Sequence, residues 1–452
     1  MSIKPKLNRF DLTIIVISLV IGLGIFATPG DVAVQAGNPW IFFGAWIFGG
    51  LVSLCGALTF AEIGARFPTT GGFYKVFSYC YHPAFAFMIN WVLVISNAAS
   101  VAAVAIIGAV YIRPLLLPAD WQNDFGTKII TISSVMVLYF INFLGIKMSA
   151  RAQNLLMLFK IGMIVIICST IFKSHVTPVT AAAIPYKGNM VAAFGLSLVG
   201  VFFTCGGYQQ TINFGGDIID AKTNIPKAVF LGILVILFLY LSINYAYFHI
   251  LGIAGLQQTH QTNDLAARMV GAIFGDMGYK ITSVMMFISV LAYVNVNVLA
   301  NPRVYYAMAE DGILPQIFKK VNPKTQVQEF GMSFFVAAII IVLFFVAKFS
   351  DMLKYVMFFD TIGLSTAAIS IFLLRKKTKH LDGTGIYTIK WFPLVPALFI
   401  LAYWFVTINI FITFKENPYA ALICLAMYAV GLIIYYAGTY YKKPAIPETP
   451  TF

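Results

Sequence analysis

The chain has 452 residues, of which 60% are hydrophobic and only 10% are charged, and this composition excludes an ordinary soluble globular protein. Its formal net charge is +13, which basic loops beside a membrane account for without a nucleic-acid partner. Runs of about 20 apolar residues, enough for a helix to cross a bilayer, predict an all-α polytopic membrane protein with twelve spans. The predicted spans cover residues 12–36, 41–65, 84–112, 128–146, 153–173, 190–218, 227–253, 278–309, 331–349, 352–374, 392–413 and 418–441.

Lysine and arginine are distributed unevenly between the two sets of alternate loops. Of the 30 basic residues, twenty fall on the side of the N terminus and nine on the other side, while Lys160 lies within a span. Cytoplasmic loops carry the excess of basic residues in membrane proteins. We therefore expect a multi-pass protein of the plasma (inner) membrane with both termini in the cytoplasm.

The first span is interrupted by three glycines and a proline between Gly22 and Gly30. An unwound segment inside a bilayer survives only where it is buried in protein or lines a cavity, because lipid cannot satisfy its backbone polar groups. We expect such a cavity here, with a simple proline kink as the alternative. The sequence also predicts that the helix restarts at Thr28 as N-cap, with Pro29 in the first helical position and Asp31 at capping-box spacing.

Charged residues in or near the spans are the next candidates. Glu62 and Arg66 are one helical turn apart at the end of the second span and are interpreted as a loop ion pair. Lys160 lies in the fifth span, where a lysine costs on the order of 3 kcal/mol, so it should face the bundle interior and have a partner. The alternative for Lys160 is a side chain that snorkels to the cytoplasmic face. Asp360 lies near the middle of the tenth span and is a candidate functional carboxylate or a buried, hydrogen-bonded one.

The sixth span is interrupted like the first, by the glycine pair in the segment Phe203–Tyr208. Because the two interrupted spans are five helices apart, they cross the membrane in opposite directions. This pattern indicates an inverted repeat with a substrate site between discontinuous helices, whereas glycines used only for packing are the alternative. Asn295, in the eighth span, should be hydrogen-bonded inside the bundle, and its contact with a ligand is open.

Motifs for enzymatic chemistry do not accompany these features. Gly22, Gly24 and Ala27 match a dinucleotide-binding pattern, but no strand precedes them. The five histidines are scattered without the spacing of metal ligands, so we predict no enzyme, no cofactor and no metal site. None of the five cysteines falls in a predicted outward loop, so no disulfide-linked partner subunit is expected.

Together these segments resemble the amino acid, polyamine and organocation (APC) superfamily and, within it, the L-type amino acid transporters. The resemblance implies a leucine-transporter-type fold, with five helices (residues 1–180), an inverted repeat of five (181–380) and two additional helices (381–452). It also implies amino acid transport by alternating access. The segments that carry the resemblance are Ile21–Gly30, Ala61–Pro68 with Gly71 and Gly72, Lys160, Phe203–Tyr208, Asn224–Ala228, and Asn295 with Pro302–Pro315.

The resemblance further implies which groups would bind an amino acid. Backbone amides at the first break would hold its carboxylate, and free carbonyls at both breaks would hold its ammonium group. Phe203 would act as a gate over the substrate, and the Lys160 ammonium would stand where sodium-coupled relatives hold an ion, which implies sodium independence. The implied amides belong to Gly22, Leu23 and Gly24, and the implied carbonyls to Ile21, Phe203, Thr204 and Gly206.

Two positions depart from the family pattern. Leu23 stands where most relatives carry Ser or Thr, and Asp360 has no counterpart in that pattern. Asp360 leaves room for a substrate with an additional cationic group or for a proton site. The prediction is a sodium-independent transporter of neutral amino acids, exchanging or proton-linked. The alternatives are a cationic amino acid or amine porter, and a sensor that binds an amino acid without moving it.

Overall fold

A computed structural model describes residues 8–68, 72–172, 184–186, 189–262, 264–345, 349–413 and 418–439, and their regular elements are helical. The all-α prediction is therefore confirmed. The α-helices in these residues are α1 (Arg9–Val20), α2 (Gly24–Ala36), α3 (Pro39–Arg66), α4 (Gly72–Cys80), α5 (Pro83–Leu116), α6 (Asp124–Phe143), α7 (Ile146–Ser169), α8 (Met190–Cys205), α9 (Ala221–Thr262), α10 (Leu265–Glu310), α11 (Glu329–Phe345), α12 (Phe349–Lys377), α13 (Leu394–Thr413) and α14 (Pro418–Thr439).

Eight helical segments in the described part of the chain are long and apolar enough to cross a membrane. Three shorter apolar helices, Leu158–Phe172, Glu329–Phe344 and Leu425–Ala437, accompany them. The number of twelve spans remains a prediction. The eight segments are Pro39–Arg66, Pro83–Leu116, Asp124–Phe143, Met190–Ile212, Lys222–His260, Leu265–Glu310, Leu353–Lys377 and Leu394–Thr413.

The first predicted span is two helices separated by three residues, since α1 ends at Val20 and α2 begins at Gly24. The predicted restart at Thr28 is wrong. Thr28 lies inside α2, where its hydroxyl donates to the Gly24 carbonyl at 3.0 Å, and α2 continues across Pro29. A proline removes only its own amide from the helix, so the glycines upstream of it, rather than Pro29, set the position of the break.

The sixth predicted span is interrupted at the glycine pair, since α8 ends at Cys205 and a 3₁₀ segment runs from Tyr208 to Asp217. Gly207 has a φ of 113°, a backbone conformation that L side chains rarely adopt. A Cβ at this position would lie only 2.3 Å from the carbonyl oxygen of Leu19 in α1. The two breaks therefore contact each other, and glycine is required at the contact.

Glu62 and Arg66 belong to a buried ion network at the end of α3, so their interpretation as a loop pair is wrong. Glu62 is 0% exposed and accepts from Arg66 Nε at 2.7 Å and from Arg375 of α12 at 2.7 and 2.8 Å. It also accepts from the Ile389 amide at 2.8 Å, while Arg66 donates to Asp382 at 2.8 Å. A buried carboxylate needs several such partners to offset its desolvation. The network fastens the segment after α12 to the end of α3.

Candidate functional site

A cavity of about 150 Å³ lies where the two helix breaks meet. Side chains from α4, α5, α10, α12 and α13 complete its wall, so the cavity is enclosed by helices that are distant in sequence. Most of the residues singled out from the sequence are brought together here. The predicted site residues that line the cavity are Gly22, Leu23, Gly24, Phe203, Thr204, Gly206 and Asp360.

Three of the predicted residues lie behind this wall and are not among its lining residues. Asn295 is fully buried and accepts a hydrogen bond from the Asn142 amide of α6 at 2.7 Å, so it is hydrogen-bonded inside the bundle as expected. Ile21 is buried at the first break, and its carbonyl accepts from Lys160. The structure therefore brings neither Asn295, Ile21 nor Lys160 to the cavity surface.

Lys160 supports the first break from outside the cavity. Its side chain extends from α7, is 1% exposed, and donates to the Ile21 carbonyl. This carbonyl follows the last turn of α1, where the helix dipole places partial negative charge. An ammonium group at this position stabilises a backbone oxygen that the interrupted helix leaves without its usual partner. The expected interior-facing lysine is thus confirmed, and the snorkelling alternative is wrong.

The N terminus of α2 packs directly against α8. The Thr28 and Thr204 hydroxyls are 2.6 Å apart, and a Cβ at Gly24 would lie 2.8 Å from Thr204 Cα. The first amides of a helix have no intrahelical acceptor and carry partial positive charge, so the start of α2 can bind an anionic group. The Gly22 amide instead donates to the Val20 carbonyl at 2.6 Å, which leaves Leu23 and Gly24 at the head of α2.

Tyr240 of α9 joins the two breaks and was not singled out from the sequence. Its hydroxyl lies 2.9 Å from the Val20 carbonyl of the first break and 3.2 Å from the Thr204 carbonyl of the second. One hydroxyl hydrogen is shared between two acceptors. A tyrosine within an apolar run is a signal for such a contact, because a buried tyrosine usually finds a hydrogen-bond partner. Sequence alone could not identify two partners on other helices.

A polar wall faces the breaks across helices α5, α10 and α12. Three side-chain hydrogen bonds cross between these helices, and each of them begins on α5. They join Ser96 to Asp360 at 3.1 Å, Asn97 to Asn301 at 3.0 Å, and Ser100 to Tyr293 at 2.9 Å.

Known proteins resemble the chain over nearly its whole length. The amino acid permease family model matches residues 7–438. The chain is 28% identical to the serine/threonine exchanger SteT of Bacillus subtilis (strain 168) over 443 residues, which cover 96% of this chain and 97% of that protein. It is 22% identical over 453 residues to the large neutral amino acids transporter small subunit 2 of Homo sapiens, with 98% and 82% covered. It is also 26% identical over 417 residues to the methylthioribose transporter of Bacillus subtilis (strain 168), with 88% and 86% covered.

Proposed function

The chain belongs to the amino acid permease family of the APC superfamily, and on that premise we propose that it is a sodium-independent transporter of neutral amino acids. It exchanges amino acids or moves them with protons, by alternating access. The observation that carries this proposal is the cavity between two interrupted helices, whose backbone groups suit the charges that all amino acids share. Similarity to two proteins named for amino acids also supports the proposal. One is the serine/threonine exchanger SteT, and the other is the large neutral amino acids transporter small subunit 2.

The proposed architecture has twelve spans arranged as two inverted five-helix repeats, residues 1–180 and 181–380, followed by two helices in 381–452. The eight long segments, the three shorter apolar helices and the interrupted pair α1 and α2 support this number. The excess of basic residues in one set of loops supports cytoplasmic termini in the plasma (inner) membrane. The positions of the cysteines support transport without a disulfide-linked partner subunit.

In the proposed complex, the substrate carboxylate meets the amides at the head of α2, those of Leu23 and Gly24. Its ammonium group meets carbonyls at the break after α8, those of Phe203, Thr204 and Gly206, and Phe203 closes over it. The Ile21 carbonyl already accepts from Lys160 and the Thr204 carbonyl from Tyr240, so these two are weaker candidates for this contact. Binding through the backbone leaves the side chains of the wall to choose among amino acids.

Sodium independence is proposed from Lys160. A tethered ammonium beside the first break supplies positive charge where a metal ion would otherwise stabilise backbone oxygens. Its hydrogen bond to Ile21 and its burial support this role. A chain built in this way needs no further cation or cofactor to hold the break.

Counterflow in proteoliposomes tests the proposal. Vesicles loaded with unlabelled serine or leucine should accumulate the labelled amino acid at the same rate in sodium and in choline buffer, and methylthioribose serves as a comparison substrate. Tight binding without counterflow would identify a sensor. Uptake that rises with external acidity but not with internal amino acid would favour proton coupling over exchange.

A second candidate function, transport of cationic amino acids or amines, is favoured by Asp360. This carboxylate lines the cavity, and it forms no ion pair within the described part of the chain. A cationic substrate side chain would neutralise it. Arginine uptake that exceeds leucine and serine uptake, and that is lost in the Asp360→Asn variant, would make this the better proposal.

Replacing Tyr240 with phenylalanine should slow exchange by about 5- to 30-fold, since removing a buried hydroxyl leaves its carbonyl acceptors without a donor at a cost of about 1–2 kcal/mol. The ring and its packing are retained, so the folded protein should persist. Exchange rates of wild type and variant are compared at equal reconstituted amounts. The matched control is Tyr245→Phe, because Tyr245 is half exposed on the same helix. Equal losses in both variants would contradict a specific role for Tyr240.

A further inference from the structure

Asp360 is the one charged side chain among the described residues that line the cavity. Its Oδ1 atom accepts a hydrogen bond from Ser96 at 3.1 Å. An ionised carboxylate has two oxygens and about four acceptor sites, so a single donor leaves most of its capacity unused. A carboxylate with only one hydrogen-bond donor, inside a membrane-embedded cavity, requires a further donor to offset its desolvation.

The neighbouring side chains do not supply that donor, because they are bonded to each other. The Asn301 amide donates to the Asn297 carbonyl at 2.9 Å and accepts from Asn97 at 3.0 Å. The Asn297 amide donates to the Tyr293 carbonyl at 2.9 Å. The polar wall is thus largely satisfied internally, and Asp360 is its one charged member, with acceptor capacity left over. That capacity is available to a molecule inside the cavity.

The cavity presents two kinds of binding group, which are backbone groups at the two breaks and the carboxylate of Asp360. Backbone groups at the breaks suit the carboxylate and ammonium that every amino acid carries, so they cannot select among amino acids. Asp360 comes from α12, which contributes to neither break. A group on α12 in the same cavity can therefore contact the substrate side chain, which is the part that differs between amino acids.

We propose that Asp360 forms a subsite for a substrate side chain that carries a hydroxyl group. The inference rests on the proposed transport function and narrows its substrates to hydroxyl-bearing neutral amino acids. The hydroxyl donates to the carboxylate in a charge-assisted hydrogen bond, with Ser96 holding the carboxylate in place. A side chain of the same shape without the hydroxyl leaves the carboxylate desolvated and unpaired, and sites built to bond a hydroxyl reject such analogues strongly.

Two pairs of amino acids that differ in the hydroxyl test the subsite. Threonine and valine have nearly the same shape, and serine exceeds alanine by one oxygen. Competition against labelled serine in counterflow, together with ligand-induced thermal stabilisation of the purified protein, should show a preference of about 10-fold or more for threonine over valine. Serine should be preferred over alanine by a similar factor.

The preference should fall to about 2-fold or less in the Asp360→Ala variant, which removes the acceptor. Asp360→Asn keeps a carbonyl oxygen but loses the charge, so an intermediate preference is expected, and this variant preserves the Ser96 contact if the alanine variant fails to fold. Ile369→Ala serves as the control, because Ile369 is an exposed residue of the same helix and lies outside the cavity lining. Its preference should match that of wild type.

Equal affinity for threonine and valine in the wild type would overturn the subsite while leaving amino acid transport intact. A threonine preference that persists in Asp360→Ala would overturn it equally. Arginine preferred over threonine, with that preference lost in Asp360→Asn, would assign the carboxylate to a cationic substrate instead and so overturn the hydroxyl subsite. The absence of binding and counterflow for these four amino acids and for leucine would reject the proposed function, and the subsite with it.

Discussion

Replacing Gly24 with alanine should strongly reduce amino acid exchange. A Cβ at this position would lie 2.8 Å from Thr204 Cα and Oγ1 and 3.0 Å from Thr204 Cβ. The Cα atom belongs to the backbone of α8 and cannot rotate away, so α2 has to move away from α8. That movement opens the contact between the two breaks and displaces the amides at the head of α2. We expect counterflow to fall by at least about 10-fold, which corresponds to about 1.4 kcal/mol, well within the cost of overpacking.

Gly44→Ala is the matched control for this substitution. Gly44 lies in α3, and a Cβ there would meet only Phe194, at the ordinary contact distance of 3.9 Å. This variant should transport like the wild type. Size-exclusion profiles and thermal unfolding of both variants in detergent separate loss of transport from loss of fold. Rapid exchange by a folded Gly24→Ala protein would show that close packing of α2 on α8 is not needed for transport.

The glycine patterns made both breaks predictable, because glycine pairs and a proline within long apolar runs favour an interrupted helix over a continuous one. Their opposite directions across the membrane were inferred from the offset of five spans between them, which is a matter of topology rather than of local sequence, whereas their contact is seen only in the structure. The restart of the first helix was misplaced at Thr28 because its capping signals resemble those of a helix N terminus. In the structure that hydroxyl lies inside α2, where it donates to the Gly24 carbonyl and lies 2.6 Å from the Thr204 hydroxyl of α8.

Contacts between distant segments were the part that sequence could not supply. The pairing of Glu62 with Arg66 was visible at helical spacing, whereas its partner Arg375 is 313 residues away and made the pair a buried network. Tyr240 and Asn295 present a similar case. Both are polar residues in apolar helices, and their position in the sequence does not say that one joins the two breaks while the other bonds to α6 behind the cavity.

Replacing Lys160 with methionine should also cause a large loss of exchange. Methionine keeps the length and much of the packing of the side chain but removes the ammonium group. The Ile21 carbonyl then loses its donor in a site closed to water, at a cost of about 1–3 kcal/mol, and the break is no longer held. We expect counterflow to fall by roughly 5- to 150-fold.

Lys227→Met is the appropriate control, since it removes the same charge from an exposed position on α9 and should leave exchange near the wild-type rate. Sodium distinguishes two roles for Lys160. If Lys160 supplies only packing, sodium should have no effect on either protein. If its charge replaces that of a metal ion, the wild type should be indifferent to sodium, whereas Lys160→Met should recover part of its activity as sodium is raised against choline at constant ionic strength. Unchanged exchange in Lys160→Met would contradict the charge role and leave only packing, because the buried contact with Ile21 would then contribute nothing to the transport cycle.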